Sequence, residues 1–229
     1  KITNVGNLVG DNQSKLDFSA EANSVFKIKT KVTNGTIDPD ANDLAYNSNK
    51  KISYQPKEGY ELEKVTVDGK DVDKEQFKTG YDFNKITDNH EIEVIYKGIN
   101  KPSISKQFDK KEYSIGETIK NIINFKNDGN ADAKVKDATV SDTPGNGVKI
   151  NTDTIKVNYN GLGKYVINIV DKVTGAFNVV FDFFTGGEEA TITYDSVIEK
   201  NVETIENTAS AEGVGMTKID TKAVATPKY

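Results

Sequence analysis

The chain has 229 residues, 35% hydrophobic and 28% charged, with a formal net charge of -5. Cysteine is absent, all 30 basic residues are Lys, and His90 is the single histidine. That composition excludes disulfides, thiolate chemistry, Cys-based zinc sites and multi-His metal centres. An acidic balance without Arg argues against nucleic acid as a partner.

Residues 1–24 are polar and Asn-rich, and Leu16, Phe18 and Ala20 are spaced for an extra strand or a linker. Phe26, Ile28, Thr30 and Val32 alternate with Lys27, Lys29 and Lys31, a period of two that predicts a half-buried strand. Ile52 and Tyr54 continue this style. Val65-Thr66-Val67 runs into Asp68-Gly69, a two-residue hairpin signal, with Val72 beyond it. Residues 73–77 suggest a short helical turn, and residues 91–96 alternate again. Gly98 and Pro102 bracket a break that predicts a boundary between domains at 1–98 and 101–229. Strands are then predicted at 103–108, 118–125, 134–142, 154–159, 177–183, 190–198 and 204–211. Turns rich in Gly, Asn and Pro separate them, an all-β pattern typical of a sandwich. No apolar run approaches the roughly 20 residues of a membrane span. With no leader or sorting signal legible, the chain reads as part of a longer protein or as a processed product.

Three polar residues break the alternation in the second half. Lys106 shares parity with Ile104 and Phe108, Asn207 with Ile205, Ala209 and Ala211, and Asp142 with Ala138 and Val140. Burying three such groups separately would cost several kcal/mol, on the order of 2 or more each. If the first and last strands are neighbours, the Lys106 amine can reach the Asn207 amide. Burial favours a neutral, nucleophilic amine and a neutral Asp142 carboxyl able to shuttle protons. The product would be an intramolecular Lys–Asn isopeptide bond, formed once and without turnover. The plainer alternatives stay open here: Lys106 snorkelling to water, Asn207 capping a strand, and Asp142 opening the turn at Thr143-Pro144-Gly145.

The same residues carry a family resemblance. Residues 101–109, 114–119, 125–135, 140–144, 187–194 and 205–209 resemble, in order, the isopeptide-forming domain of Gram-positive pilins and surface adhesins, a collagen-adhesin-type sandwich. The resemblance implies an immunoglobulin-like β-sandwich in which a first-strand Lys bonds a last-strand Asn beside an acid. Those positions fall on Lys106, Asn207 and Asp142; Asp109 and Asp137 are alternative acids but lie on the opposite parity. Residues 52–60, 65–69, 81–83, 86–90 and 92–94 are similar to a β repeat of secreted Gram-positive surface proteins, and no cross-link is expected there. The expected class is therefore all-β: two tandem domains, a small β-rich repeat domain followed by an immunoglobulin-like sandwich. The expected role is a stalk or shaft segment of an extracellular, wall-attached surface protein, partnered by its neighbouring domains. The alternative is an adhesin module whose first domain binds a host protein or glycan.

Other candidates are weaker. Asp38, Asp40, Asn42 and Asp43 hint at calcium, but Asp43 and Asn49 stand where the calcium loop needs Gly and Glu, so a solvated acidic loop is expected instead. His90 reads as an exposed turn residue, and Glu188-Glu189 as the decoration of a strand start. Tyr46, Tyr54, Tyr60, Tyr81 and Tyr96 could stack sugars, although parity puts Tyr54 and Tyr96 in a core. One His, no Cys and no Arg offer no hydrolase constellation, and no cofactor is expected.

Overall fold

The structure, a computed structural model, describes residues 2–11, 14–22 and 24–228. Every regular element among them is a β-strand, and the chain divides into two compact units, Lys1–Lys97 and Gly98–Tyr229. Among the described residues no helix is long and apolar enough to cross a membrane.

The first unit opens with a ribbon of β1 (Ile2–Leu8) and antiparallel β2 (Leu16–Ala22). Two strands thus stand where the apolar spacing suggested one. Val5, Leu8, Leu16 and Phe18 are all more than half exposed. The unit continues with β3 (Val25–Thr33), β4 (Gly35–Ile37), β5 (Ala41–Ala45), β6 (Lys50–Pro56), β7 (Tyr60–Val67), β8 (Lys70–Asp71), β9 (Gly80–Phe83) and β10 (His90–Gly98). They form a five-stranded sheet, β5-β3-β10-β7-β8, and a three-stranded one, β4-β6-β9. The lysine alternation of β3 leaves Lys27, Lys29 and Lys31 outside while Ile28 is fully buried. Ile28 joins Ile52, Tyr54, Val65, Ile92, Val94 and Tyr96 in one core. Such side chains each contribute roughly 1.5–3 kcal/mol on burial. Asp68 and Gly69 take positive φ angles of 51° and 75° and close the β7–β8 hairpin, the backbone that a two-residue turn of this kind requires. Residues 73–77 make a single turn, with Gln76 and Phe77 both donating to the Asp73 carbonyl.

The second unit contains β11 (Pro102–Phe108), β12 (Glu112–Ser114), β13 (Thr118–Asn127), β14 (Lys134–Pro144), β15 (Val148–Tyr159), β16 (Tyr165–Ile169), β17 (Phe177–Thr185), β18 (Glu189–Ile198), β19 (Ile205–Val214) and β20 (Ile219–Lys228). Two sheets result, β11-β13-β18-β15 and β12-β20-β19-β14-β17-β16. Their inward residues make two clusters, one holding Ile123, Phe125 and Ile192 from one sheet and Val140, Val179 and Phe181 from the other, the second holding Tyr113, Ile119, Val148, Ile198 and Ile205. The pairing of β14 with β19 slips between Lys136 and Thr139, where Asp137 has φ of 51°. This bulge lets Val135 and Ala138, three residues apart, both point inward.

The topology corrects one premise. β11 and β19 are not hydrogen-bonded neighbours; β11 pairs with β13 in the four-stranded sheet, while β19 lies between β14 and β20 in the six-stranded one. Nor is β19 the last strand, because β20 follows it. Lys106 therefore approaches Asn207 from the opposite sheet.

Candidate functional site

Regular pleating brings the polar side chains together. Lys106 lies opposite Ile123 on β13, and Asn121, two residues earlier on that strand, lies opposite Tyr194 of β18. Across the core, Asp142 of β14 pairs with Ala209, and Asn207 sits two residues earlier on the same inward face of β19. All five side chains belong to buried residues.

Lys106 Nζ donates to Asp142 Oδ2 at 2.5 Å, and both side chains are 0% exposed. Nζ also donates to the Tyr194 hydroxyl, which accepts a second bond from Asn207 Nδ2 at 3.0 Å. Asn207 Nδ2 further reaches Asn121 Oδ1 at 3.4 Å. Asn121 is itself held through Nδ2 by Ser196 Oγ at 2.9 Å and the Ile119 carbonyl at 3.1 Å. Two buried oxygens, Asp142 Oδ1 and Asn207 Oδ1, have no hydrogen-bond partner. Each such atom costs roughly 1–3 kcal/mol, so this arrangement is not a stability optimum.

The electrostatics favour uncharged groups. Burial pushes the Lys106 amine below the usual lysine value, against the pull of Asp142. Burial pushes the Asp142 carboxyl above the usual aspartate value, opposed first by Lys106 and then by the neighbouring Tyr194 and Asn207 side chains. Burial also holds the Tyr194 phenol far above its ordinary range. Chemically, the cluster holds a desolvated amine and a carboxamide on one hydroxyl, with a desolvated acid on the amine.

The structure brings Lys106, Asp142 and Asn207 together and leaves the alternative acids out. Asp109 accepts from Tyr113 and from the Lys120 amide at the end of β11, and Asp137 is exposed at the bulge. Asn121 and Ser196 carry the same kind of parity break, which the sequence reading missed: Asn121 alternates with buried Ile119 and Ile123, and Ser196 with buried Tyr194 and Ile198. Tyr194 gives no such signal, because an inward Tyr reads as ordinary core.

The remaining candidates do other work. Asp40 accepts from the Thr30 amide and hydroxyl, and Asp38 from the Ser53 amide, each at 2.8 Å for the amide bond. These carboxylates fasten strands, Asn42 is exposed on β5, and no group of three or more His, Asp or Glu fit for a metal occurs among the described residues. His90 is not in a turn; it begins β10 with Nδ1 at 2.7 Å from Asp68 Oδ2. Glu188 is buried, accepting from Tyr159 and from the Thr185 and Leu162 amides, while Glu189 is exposed. Tyr54 and Tyr96 are core residues, Tyr60 and Tyr81 pack partly against them, and Tyr46 is 58% exposed.

No protein-family model and no curated protein matches the chain. Solved structures do. The major pilin subunit BcpA of Bacillus cereus is similar at 13% identity and a TM-score of 0.45, over 90% of this chain and 69% of that one. The pilus backbone protein RrgB of Streptococcus pneumoniae matches at 18% identity and a TM-score of 0.38, over 51% of this chain, which spans 32% of that structure's length. The collagen-binding domain of a Staphylococcus aureus adhesin matches at 13% identity and a TM-score of 0.37, over 56% of this chain and 97% of that one.

Proposed function

We propose that the chain is a structural stalk or shaft segment of a Gram-positive surface adhesin or pilin, exported and wall-attached, whose second unit closes a Lys106–Asn207 isopeptide bond with Asp142 assisting. The observation that carries the cross-link is the buried 2.5 Å contact of Lys106 with Asp142, beside an Asn207 amide whose carbonyl oxygen has no partner. The surface location rests on the resemblance of the motif blocks around these residues.

The chemistry is a single self-directed acyl transfer. The neutral Lys106 amine attacks Asn207 Cγ, and a C–N bond forms. Asp142 lends its proton to the carboxamide oxygen as the tetrahedral centre develops and regains it as that centre collapses. The Cγ–Nδ2 bond then breaks, and Nδ2 leaves as ammonia with a hydrogen from the Lys106 amine. No cofactor enters, and no turnover follows. The adhesin alternative is less well supported: of the five tyrosines proposed as a sugar platform, Tyr54 and Tyr96 are buried in the first unit's core.

Intact mass of the denatured chain tests the proposal. Wild type should be one ammonia lighter than its calculated mass, and Lys106→Ala, Asp142→Ala and Asn207→Ala should each return to it. A wild-type mass equal to the calculated value rejects the cross-link.

A further inference from the structure

The acyl transfer described above leaves one reacting group unassigned. Lys106 Nζ must lose a proton and Asn207 Nδ2 must gain one, yet Asp142 is bonded through Oδ2 to Nζ and in that scheme commits its proton to the carbonyl oxygen. The Tyr194 hydroxyl accepts from both nitrogens. We propose that Tyr194 is a catalytic proton relay between nucleophile and leaving group, an inference that rests on the cross-link reading.

The bonding directions fit this role. In the resting cluster both nitrogens donate to Oη. Once Nζ attacks Cγ, Nζ becomes an ammonium that must shed a proton, and Nδ2 changes from a planar amide nitrogen into an amine with a lone pair. The Oη–Nδ2 bond can then reverse without any heavy atom moving far. Oη takes a proton from Nζ as its own hydrogen passes to Nδ2, the C–N bond to ammonia breaks, and the phenol is restored. No external base is consumed. A phenol suits this exchange because its oxygen both donates and accepts. Desolvation keeps it neutral, so the relay brings no charge into a dry site. Solvent is poorly placed to substitute, since the Lys106 and Asp142 side chains are 0% exposed.

The ring is fixed independently of the hydroxyl. Phe177 packs edge-on against Tyr194, with centroids 5.1 Å apart and planes at 82°. Tyr194→Phe therefore keeps that packing and removes the hydroxyl, with its bonds from Lys106 and Asn207 and the relay they would serve.

The test follows cross-linking in time. The full chain, collected unreacted in denaturant, is refolded by dilution, quenched in acid at intervals and weighed intact, while circular dichroism records folding. Tyr194→Phe should fold at the wild-type rate and lose ammonia at least about 100-fold more slowly, the lower range for a lost acid–base group. Wild-type cross-linking should also slow in heavy water more than the variant does, a signature that altered packing would not produce. Equal rates of ammonia loss in a folded Tyr194→Phe overturn the relay while leaving the cross-link intact. If the variant does not fold, a wild-type rate unchanged in heavy water overturns it instead. A wild type that never loses ammonia removes the cross-link reading and the relay with it.

Discussion

Asn121 ties the buried polar cluster to the strand that supports it. Its Oδ1 accepts from Asn207 Nδ2, and its own Nδ2 is fixed by Ser196 and the Ile119 carbonyl. Truncation would leave the Asn207 amide held by Tyr194 alone and orphan the buried Ser196 hydroxyl. Asn121→Ala should therefore destabilise the second unit by about 1–3 kcal/mol in urea unfolding. It should also slow cross-linking, which the intact-mass time course reads. An unchanged urea midpoint would mean that the amide is held by the strands alone. At this scale the sequence is legible where a polar residue breaks an apolar alternation, as Lys106, Asp142 and Asn207 do. It is silent where the functional residue is amphipathic. Tyr194 satisfies the core pattern with its ring, and its hydroxyl acquires meaning only from partners on β11 and β19.

At the scale of elements, the β7–β8 hairpin is clamped to β10 through its turn. Asp68 accepts from the Glu91 amide at 2.9 Å and lies 2.7 Å from the His90 ring. Burial raises its pKa, but the bonds from His90 and Glu91 outweigh burial and hold the carboxyl below its ordinary value. A carboxyl depressed in the folded state contributes stability above its unfolded pKa of about 3.9, and that contribution disappears as pH falls through the lower folded value. Between about pH 5 and pH 2, protection of β7 and β10 amides from hydrogen exchange should therefore fall more steeply in wild type than in Asp68→Asn. Parallel slopes would show that the carboxylate adds nothing to the clamp. This hairpin is readable because Asp-Gly fixes a turn locally. The bulge at Asp137 is harder to read: its shifted register is set by the partner strand β19, and an Asp in a polar stretch gives no sign of a positive φ. Strand β16 also escapes, since Tyr165, Val166, Ile167 and Ile169 show no alternation, and an edge strand against β17 has too little burial to impose one.

For the whole second unit, the proposed bond would close a loop of about 100 residues. The chain-entropy argument used for disulfides assigns such a loop about 4–5 kcal/mol, through a restricted unfolded state. Lys106→Ala should lower the second unit's unfolding free energy by about that amount and leave the first unit's transition in place. Coincident shifts of both transitions would contradict two independently folded units. The sheet partnership that makes this loop could not be read from the chain, because order across a sandwich is set by which faces close on each other. Alternation shows that a side chain points inward but not which sheet it meets.

The placement of Lys106 near one end of the second unit and Asn207 near the other has a consequence for a molecule held at both ends. With the two joined, tension enters through residues 98–106, crosses the covalent link and leaves through residues 207–228. Everything between, including β13 to β18, hangs off the line of force as a closed side loop. At about 3.5 Å per extended residue, a pulled second unit could then lengthen by only roughly a quarter of its full contour before the backbone itself was taut. Such a segment would behave as a strap of limited reach, and its neighbours could draw apart only that far even after its sheets had parted.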